Sequence, residues 1–577
     1  MTHNTFACFQ HVRVLQRHPA VSPQYDCSFA CSKTDNGCNS GNPVKSGDVE
    51  ALLQPFGLGI KPEESDDYKR LLAAVHDCAE RVSGLPDYQP VPDIQRFPRQ
   101  YVRRPDVEEQ DFGHAWVHRF LIQGDKDKSG SLLSGKTVCL KDCIAVAGVP
   151  QFFGSDAFPA WTPKTDATVV TRVLNAGADI VGTATCENFC NSTSSFTSAQ
   201  GTVHNPHSIG YSSGGSTSGG AALVAGNVVD IAIGTDQGGS IRVPAALCGC
   251  VGLKPTHGLV PYTGITSGDP IDDHAGPIAR SVAEVAACLD AIAGYDGIDD
   301  RSLGSMQPGT FVFQQSLTRG RLNGIRIGIL REGYEHDLVQ QGVREAFFES
   351  VERLKLLGAH VELVSIPLHK EGASIWTIQQ RISGTAGVLG YANGRRGLYL
   401  TGFEHARLPW TAPNFDKLFP STKNTVINGL YLQNNFPGLY AKTLNIGRQI
   451  SDAYEAIFED FDAVIMPTTP FVAPKHGSRE SVLESFKPSI GMTNNTAIFN
   501  VTGHPALSLP VGWSPAAEDP QTLLPVGLQL VGGLWQEEKV LHIASALENS
   551  FDWKAARRGS AVNLHNEQTR RYNPSKF

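Results

Sequence analysis

The 577-residue sequence predicts an α/β fold, on three observations. Short runs of Val, Ile and Leu bounded by turn residues recur as strand candidates. Between them lie stretches whose apolar residues repeat at helical spacing. The two kinds alternate at the interval expected of an α/β sheet.

In chain order, residues 1–45 are polar and rich in Asn, Ser and Cys, and are expected to form a poorly ordered extension. Cys27, Cys31 and Cys38 raise the idea of a metal knuckle. Their spacing lacks the paired C-x₂-C form and no fourth ligand is evident, so no metal site is expected. A helical N-terminal domain is expected over 46–110. Ser46-Gly47-Asp48-Val49-Glu50 reads as a helix start, and Tyr68, Leu71, Leu72, Val75 and Cys78 as one buried helix face. Four prolines between Pro86 and Pro98 break that pattern.

The main domain is expected over 111–555, with a tail at 556–577. Lys136 to Ala145 reads as a strand and turn, Ala167 to Ala176 as a helix and Asp179 to Gly182 as the next strand. Ala221 to Ala225 reads as helix and Val228 to Ile233 as a short core strand. Ile325 to Leu330 is another strand. It precedes a helix whose Val343, Phe347, Val351, Leu354 and Leu357 share a face and which Gly358 stops. Val361 to Ile366 and Asp462 to Pro467 read as strands. Between about Ile375 and Leu444 the chain is aromatic- and glycine-rich and periodicity is weak, which leaves surface loops and a pocket lining both open.

Composition bounds the function. Hydrophobic residues make up 41% and charged residues 18%, an ordinary globular balance, and the net charge of −8 gives no sign of nucleic acid. No run of about 18 apolar residues suggests a membrane span. Met1 to His18 lacks an apolar signal core, so a cytoplasmic location is expected. Cys139, Cys143, Cys186, Cys190, Cys248 and Cys250 fall in apolar or motif blocks, where reduced thiols behave as small hydrophobes.

Chemistry concentrates between Gly210 and Arg242, where two glycine-and-serine loops flank an apolar run. Neither phosphate-cradle motif is present. Glycine turns can aim consecutive N–H groups at one point, as an oxyanion hole requires. Serine needs a base to become a nucleophile, and these loops contain no His. Upstream, Val138-Cys139-Leu140-Lys141-Asp142 ends an apolar run on a lysine, and a desolvated lysine can act as a base.

Three blocks carry a resemblance. They are Leu140-Lys141-Asp142 with Ala147-Gly148-Val149-Pro150, the Gly214-Gly215-Ser216 loop, and Gly234-Thr235-Asp236-Gln237-Gly238-Gly239-Ser240-Ile241-Arg242. In order and spacing they resemble the amidase-signature hydrolases over roughly residues 110 to 550. The resemblance implies a large mixed sheet covered by helices on both faces, beside the small helical N-terminal domain. It implies a Ser-Ser-Lys triad, with Ser240 as nucleophile, Ser216 as the bridging serine on a cis peptide and Lys141 as base. The N–H groups of Gln237, Gly238, Gly239 and Ser240 correspond to the oxyanion hole, and Asp236, Arg242 and Thr217 to positions that brace the loops. Thr183-Ala184-Thr185-Cys186-Glu187 is closer to the nitrile-pathway amidases than to other branches.

One departure stands out: Gly-Gly-Ser-Thr-Ser-Gly-Gly puts Thr217 at the family's second serine and Ser218 at a glycine. A register using Ser212-Ser213-Gly214-Gly215 lies four residues too far from Ser240, so Ser216 is preferred. Lys254 and His504 are weaker candidates, read as a residue before a proline turn and a packed turn residue. The expected activity is hydrolysis of carboxylic amides through an acyl-enzyme, with no metal or organic cofactor. Expected partners are a small-molecule amide and a second copy in a homodimer, without nucleic acid or a membrane span. The alternatives are the catalytic subunit of a tRNA-dependent amidotransferase and a non-catalytic binding protein on the same fold.

Overall fold

The computed structural model describes residues 41–126, 131–317 and 320–555. Cys27, Cys31 and Cys38, most of the expected extension and the tail 556–577 lie outside them. The chain divides into two compact units at Tyr88/Gln89, inside the proline-rich break.

In the first unit, α1 (Asp48–Leu53) begins after Gly47, and α2 (Ser65–Ser83) carries the predicted stripe. That stripe is not buried. Tyr68, Leu71, Val75 and Cys78 are exposed, and Ala73 is the residue of α2 that is enclosed. Helical periodicity reports that a face is apolar, not what covers it.

The second unit is built on one twelve-stranded mixed sheet. Its strands in chain order are β1 (Gln100–Arg103), β2 (Trp116–Ile122), β3 (Thr137–Lys141) and β4 (Asp179–Ala184). A separate hairpin, β5 (His204–Asn205) and β6 (Ser208–Ser212), follows. The sheet resumes with β7 (Ile231–Asp236), β8 (Val251–Lys254), β9 (His274–Ala279), β10 (Arg326–Leu330) and β11 (His360–Val364). It ends with β12 (Ala463–Pro467), β13 (Ala506–Ala516) and β14 (Asp519–Val531). The spatial order is β1-β2-β4-β3-β7-β9-β8-β13-β14-β12-β10-β11.

Side chains alternate across each strand, and each face has its own core. Val138 and Leu140 of β3 and Ile231 and Ile233 of β7 pack into a core shared with α3 (Thr168–Asn175) and α6 (Val282–Ile292). Cys139 and Ala232, one residue out of phase, pack into a second core with α4 (Ser218–Ala225). Helices therefore cover both faces. Beyond β10, the helix Gln341–Leu356 buries Val343, Phe347, Val351 and Leu354. Gly358 follows it at φ +98°, a left-handed turn that glycine adopts without a Cβ clash.

Two further expectations need correction. The strand read at Val228–Ile233 starts later and runs on through Gly234, Thr235 and Asp236, because β9 pairs with it as far as Asp236↔His274. The region 375–444 is helical rather than loop, with helices at Gly372–Leu389, Thr401–Arg407, Ala412–Asp416, Pro420–Asn435 and Leu439–Phe458. Among the described residues, no helix is long and apolar enough to cross a membrane.

The placement that matters is β3 beside β7. They pair in parallel, Val138↔Ile231 through Leu140↔Ile233, so their carboxyl ends leave the sheet together. Crevices at the carboxyl ends of adjacent strands are where α/β sheets bind ligands. Here Lys141 ends one strand and Asp236 the other.

Candidate active site

Lys141 ends β3 with its side chain buried, 1% exposed. Its Nζ donates to Ser216 Oγ at 2.8 Å and to Thr235 Oγ1 at 2.8 Å. Ser216 Oγ is in turn 3.0 Å from Ser240 Oγ. The Gly215–Ser216 peptide is cis. Ser216 is fully enclosed, whereas Ser240 is 8% exposed and lines a cavity of about 410 Å³. The three side chains thus form a line from the protein interior to a cavity wall. Ser212 is engaged elsewhere, its Oγ 3.2 Å from Ser195 Oγ and accepting from the Gly214 N–H.

The turn after β7 is held by its carbonyls. Trp376 Nε1 donates to Gln237 O at 2.5 Å, Thr496 Oγ1 to Gly238 O at 2.7 Å and Val243 N to Gly239 O at 2.7 Å. A trans peptide points its N–H opposite to its C=O, so each contact fixes the direction of the next residue's N–H. The Gly239 N–H donates to Asp236 Oδ1 at 2.7 Å and is therefore already satisfied. Among the described residues, the N–H groups of Gln237, Gly238 and Ser240 have no acceptor, which leaves three open donors where the sequence suggested four. A Cβ on Gly238 would lie 2.3 Å from Trp376 Cζ2, so only glycine fits there.

Beneath the turn, Asp236 and Arg242 form a fully buried two-pronged ion pair, Nη2–Oδ1 2.9 Å and Nε–Oδ2 3.0 Å. Arg242 also donates to Thr496 O, Gln529 Oε1 and Asn500 Oδ1 at 2.7–2.9 Å. Burial pushes the Asp236 carboxyl up, but Arg242 and Asn500 overcome it and hold the group well below the carboxylate range. Thr217 N donates to Ser240 O at 3.3 Å, tying the two serine loops together.

Electrostatics around Lys141 pull two ways. Burial works against the ammonium, while the sulfurs of Cys190, Cys143 and Cys186 and the Asp236 carboxylate work for it, leaving its pKa above the ordinary value. Cys190 differs from the enclosed thiols with which the sequence grouped it: it is part-exposed and lines the cavity. The neighbouring Asp142 carboxylate accepts from the N–H groups of Phe152 and Phe153 and so sets Phe153 in the cavity wall. Burial raises Asp142 to about 8.

Lys254 donates to the carbonyls of His504 and Pro255 at 2.6 and 3.0 Å, a structural role. His504 is packed between Thr502 Oγ1 and Glu455 Oε1, both at 2.8 Å. Among the described residues, no cluster of His, Cys, Asp and Glu is arranged to hold a metal ion.

The Amidase family model matches residues 121–541. The chain belongs to the Amidase family. It is an enzyme that hydrolyses amides. An enantioselective amidase of Rhodococcus rhodochrous is 35% identical over 534 residues, 89% of this chain and 96% of its own. A glutamyl-tRNA(Gln) amidotransferase subunit of Caldanaerobacter subterraneus subsp. tengcongensis is 31% identical over 444 residues, 76% of this chain and 88% of its own. Among solved structures, the peptide amidase of Stenotrophomonas maltophilia is similar at a TM-score of 0.59 and 29% identity, covering 74% of this chain and 83% of that one.

In this amidase the departure at Ser218 has a partner that the motif comparison missed. Ser218 Oγ donates to Glu187 Oε1 at 2.8 Å, and Glu187 Oε2 accepts from the N–H and hydroxyl of Thr197 at 2.7 and 2.5 Å. Burial raises the fully enclosed Glu187 to about 7, against these three donors. The Thr-Cys-Glu wording and the extra serine are thus two halves of one contact, a pairing visible only when 31 residues of separation are closed.

Replacing Arg242 by Met is expected to cost about 3–5 kcal/mol of stability, because it strands a buried carboxylate. Urea denaturation of both proteins measures this. A loss below about 1 kcal/mol would mean that the pair does not hold the turn.

Proposed function

We propose that this enzyme hydrolyses small or aryl carboxylic amides through an acyl-enzyme, with Ser240 as nucleophile, Ser216 as proton relay and Lys141 as base. The observation that carries the reading is the unbroken contact Lys141 Nζ–Ser216 Oγ–Ser240 Oγ, ending at the cavity. Neutral Lys141 takes the Ser216 proton as Ser216 takes that of Ser240. The Ser240 oxygen then bonds to the amide carbon. The oxyanion accepts from the open N–H groups at Gln237, Gly238 and Ser240. Return of the proton along the same path to the leaving nitrogen lets the C–N bond break. Water then attacks the ester by the same relay and frees the acid and Ser240.

The amidotransferase reading rests on the relatives that carry that name. The Rhodococcus amidase matches over 89% of this chain and the amidotransferase subunit over 76%, which favours a stand-alone enzyme. Co-purification of stoichiometric partner subunits from the native host would reverse that preference.

Ser240→Ala is expected to lower amide turnover at least about 10³-fold, as members of a triad act as a unit. Ser216→Ala should cost roughly 10²–10⁴-fold and Ser212→Ala far less. Near-normal Ser216→Ala beside a crippled Ser212→Ala would overturn the relay. Lys141→Ala should hurt an amide more than its matched activated ester, since the nitrogen must be protonated to leave.

The raised Lys141 pKa sets the pH profile. The base form exists only above that pKa, so kcat/KM should climb with pH through the alkaline range. Cys190→Ala removes the largest influence favouring the ammonium and should move the climb to lower pH. A shift to higher pH, or none, would show that the sulfur does not act on Lys141.

A further inference from the structure

The cavity that Ser240 lines holds three arginines and one carboxylate, Glu404. Two of the arginines are neutralised by the protein. Arg407 pairs with Glu404, and Arg395 with Asp299 at 3.0 Å and Asp300 at 3.6 Å. Arg381 is different. Its Nη1 donates to Thr425 Oγ1 at 2.6 Å, a neutral acceptor, and its Nε, like that of Arg407, has no hydrogen-bond partner. Among the described residues, no carboxylate pairs with it.

Neutral polar groups line the same cavity. Thr425 Oγ1 also accepts from Asn191 Nδ2. The hydroxyls of Ser421, 8% exposed, and Thr193 are buried in the cavity lining without partners. A guanidinium removed from water without a counter-ion is costly, and so are stranded hydroxyls. An entering anion would give the guanidinium its missing counter-ion.

We propose that Arg381 binds a carboxylate on the substrate, so that the preferred amide carries an acid at its far end. A single guanidinium matches a planar monoanion, which it holds through two parallel N–H donors, better than a dianionic phosphate. The spacing follows from the helix Gly372–Leu389, which carries both Arg381 and the Trp376 that touches the nucleophile turn. Five residues at about 1.5 Å each set Arg381 roughly 7.5 Å along the axis from that contact. Phe153 and Phe189 line the same cavity, so a hydrocarbon link between acid and amide suits it. This inference rests on the proposed function and names its substrate class.

The test compares adipic acid monoamide, which spans a distance of that order, with hexanamide, its neutral counterpart. Wild type should show the higher kcat/KM on the acid. Arg381→Gln should lose at least about 30-fold more on the acid than on hexanamide, the lower end for removing one partner of a buried charge pair. Arg381→Lys should recover part of the preference. Equal losses on both substrates, or no preference in wild type, would overturn the proposal. Calorimetry separates it from the catalytic reading. If neither amide is hydrolysed but Ser240→Ala binds adipic acid monoamide and Ser240→Ala/Arg381→Gln does not, the catalytic reading fails and this one stands. No binding to Ser240→Ala would overturn this inference.

Discussion

The ion pair of Asp236 with Arg242 is the constraint on which the site depends. Asp236 is the last residue of β7, so its backbone is fixed by the sheet, while Arg242 opens α5 (Arg242–Cys248) on the far side of the turn. The pair spans the turn that carries Gln237 to Ile241 and grips it at both ends. The carboxylate also accepts from the N–H groups of Gly239 and Ile241. A turn so glycine-rich would otherwise sample many shapes. Here its open N–H groups and the Ser240 side chain are held in one. A buried ion pair is a poor source of net stability, but breaking one is costly, and that asymmetry suits a geometric clamp.

From that clamp the site extends by pairing and by packing. The parallel alignment of β3 with β7 sets Lys141 beside Thr235, whose hydroxyl takes one donor of the ammonium while Ser216 takes another. The Ser216 loop is held in turn from two directions, by the Thr217 N–H on Ser240 O and by Ser218 on Glu187. Each catalytic candidate is thus fixed by a neighbour that is itself fixed, which is how a reactive geometry is kept to fractions of an ångström.

Much of this was legible in the sequence, and for a physical reason. Lys141, Ser216 and Ser240 were named through the resemblance to the amidase-signature hydrolases, whose spacing also chose Ser216 over Ser212, and they sit on short segments next to strands, where a local motif determines local shape. What stayed hidden depends on distant partners. The Gly239 N–H was counted as an open donor because a motif does not show that the Asp236 carboxylate turns back to meet it. Glu187 was seen but not its role, since its partners Ser218 and Thr197 lie on other loops. The apolar stripe of α2 was read as buried from periodicity, which describes the helix and not its surroundings.

The stretch from 375 to 444 resisted reading for a more instructive reason. An ordinary surface helix faces the core on one side and water on the other, and its sequence shows that contrast as a period. The helix Gly372–Leu389 has a third environment, the cavity. Ile375 packs into a core, while Trp376, Gln380 and Arg381 line the cavity, and Trp376 also donates to the nucleophile turn. Apolar and polar residues then interleave, and the period dissolves. The loss of pattern is itself a consequence of lining a cavity.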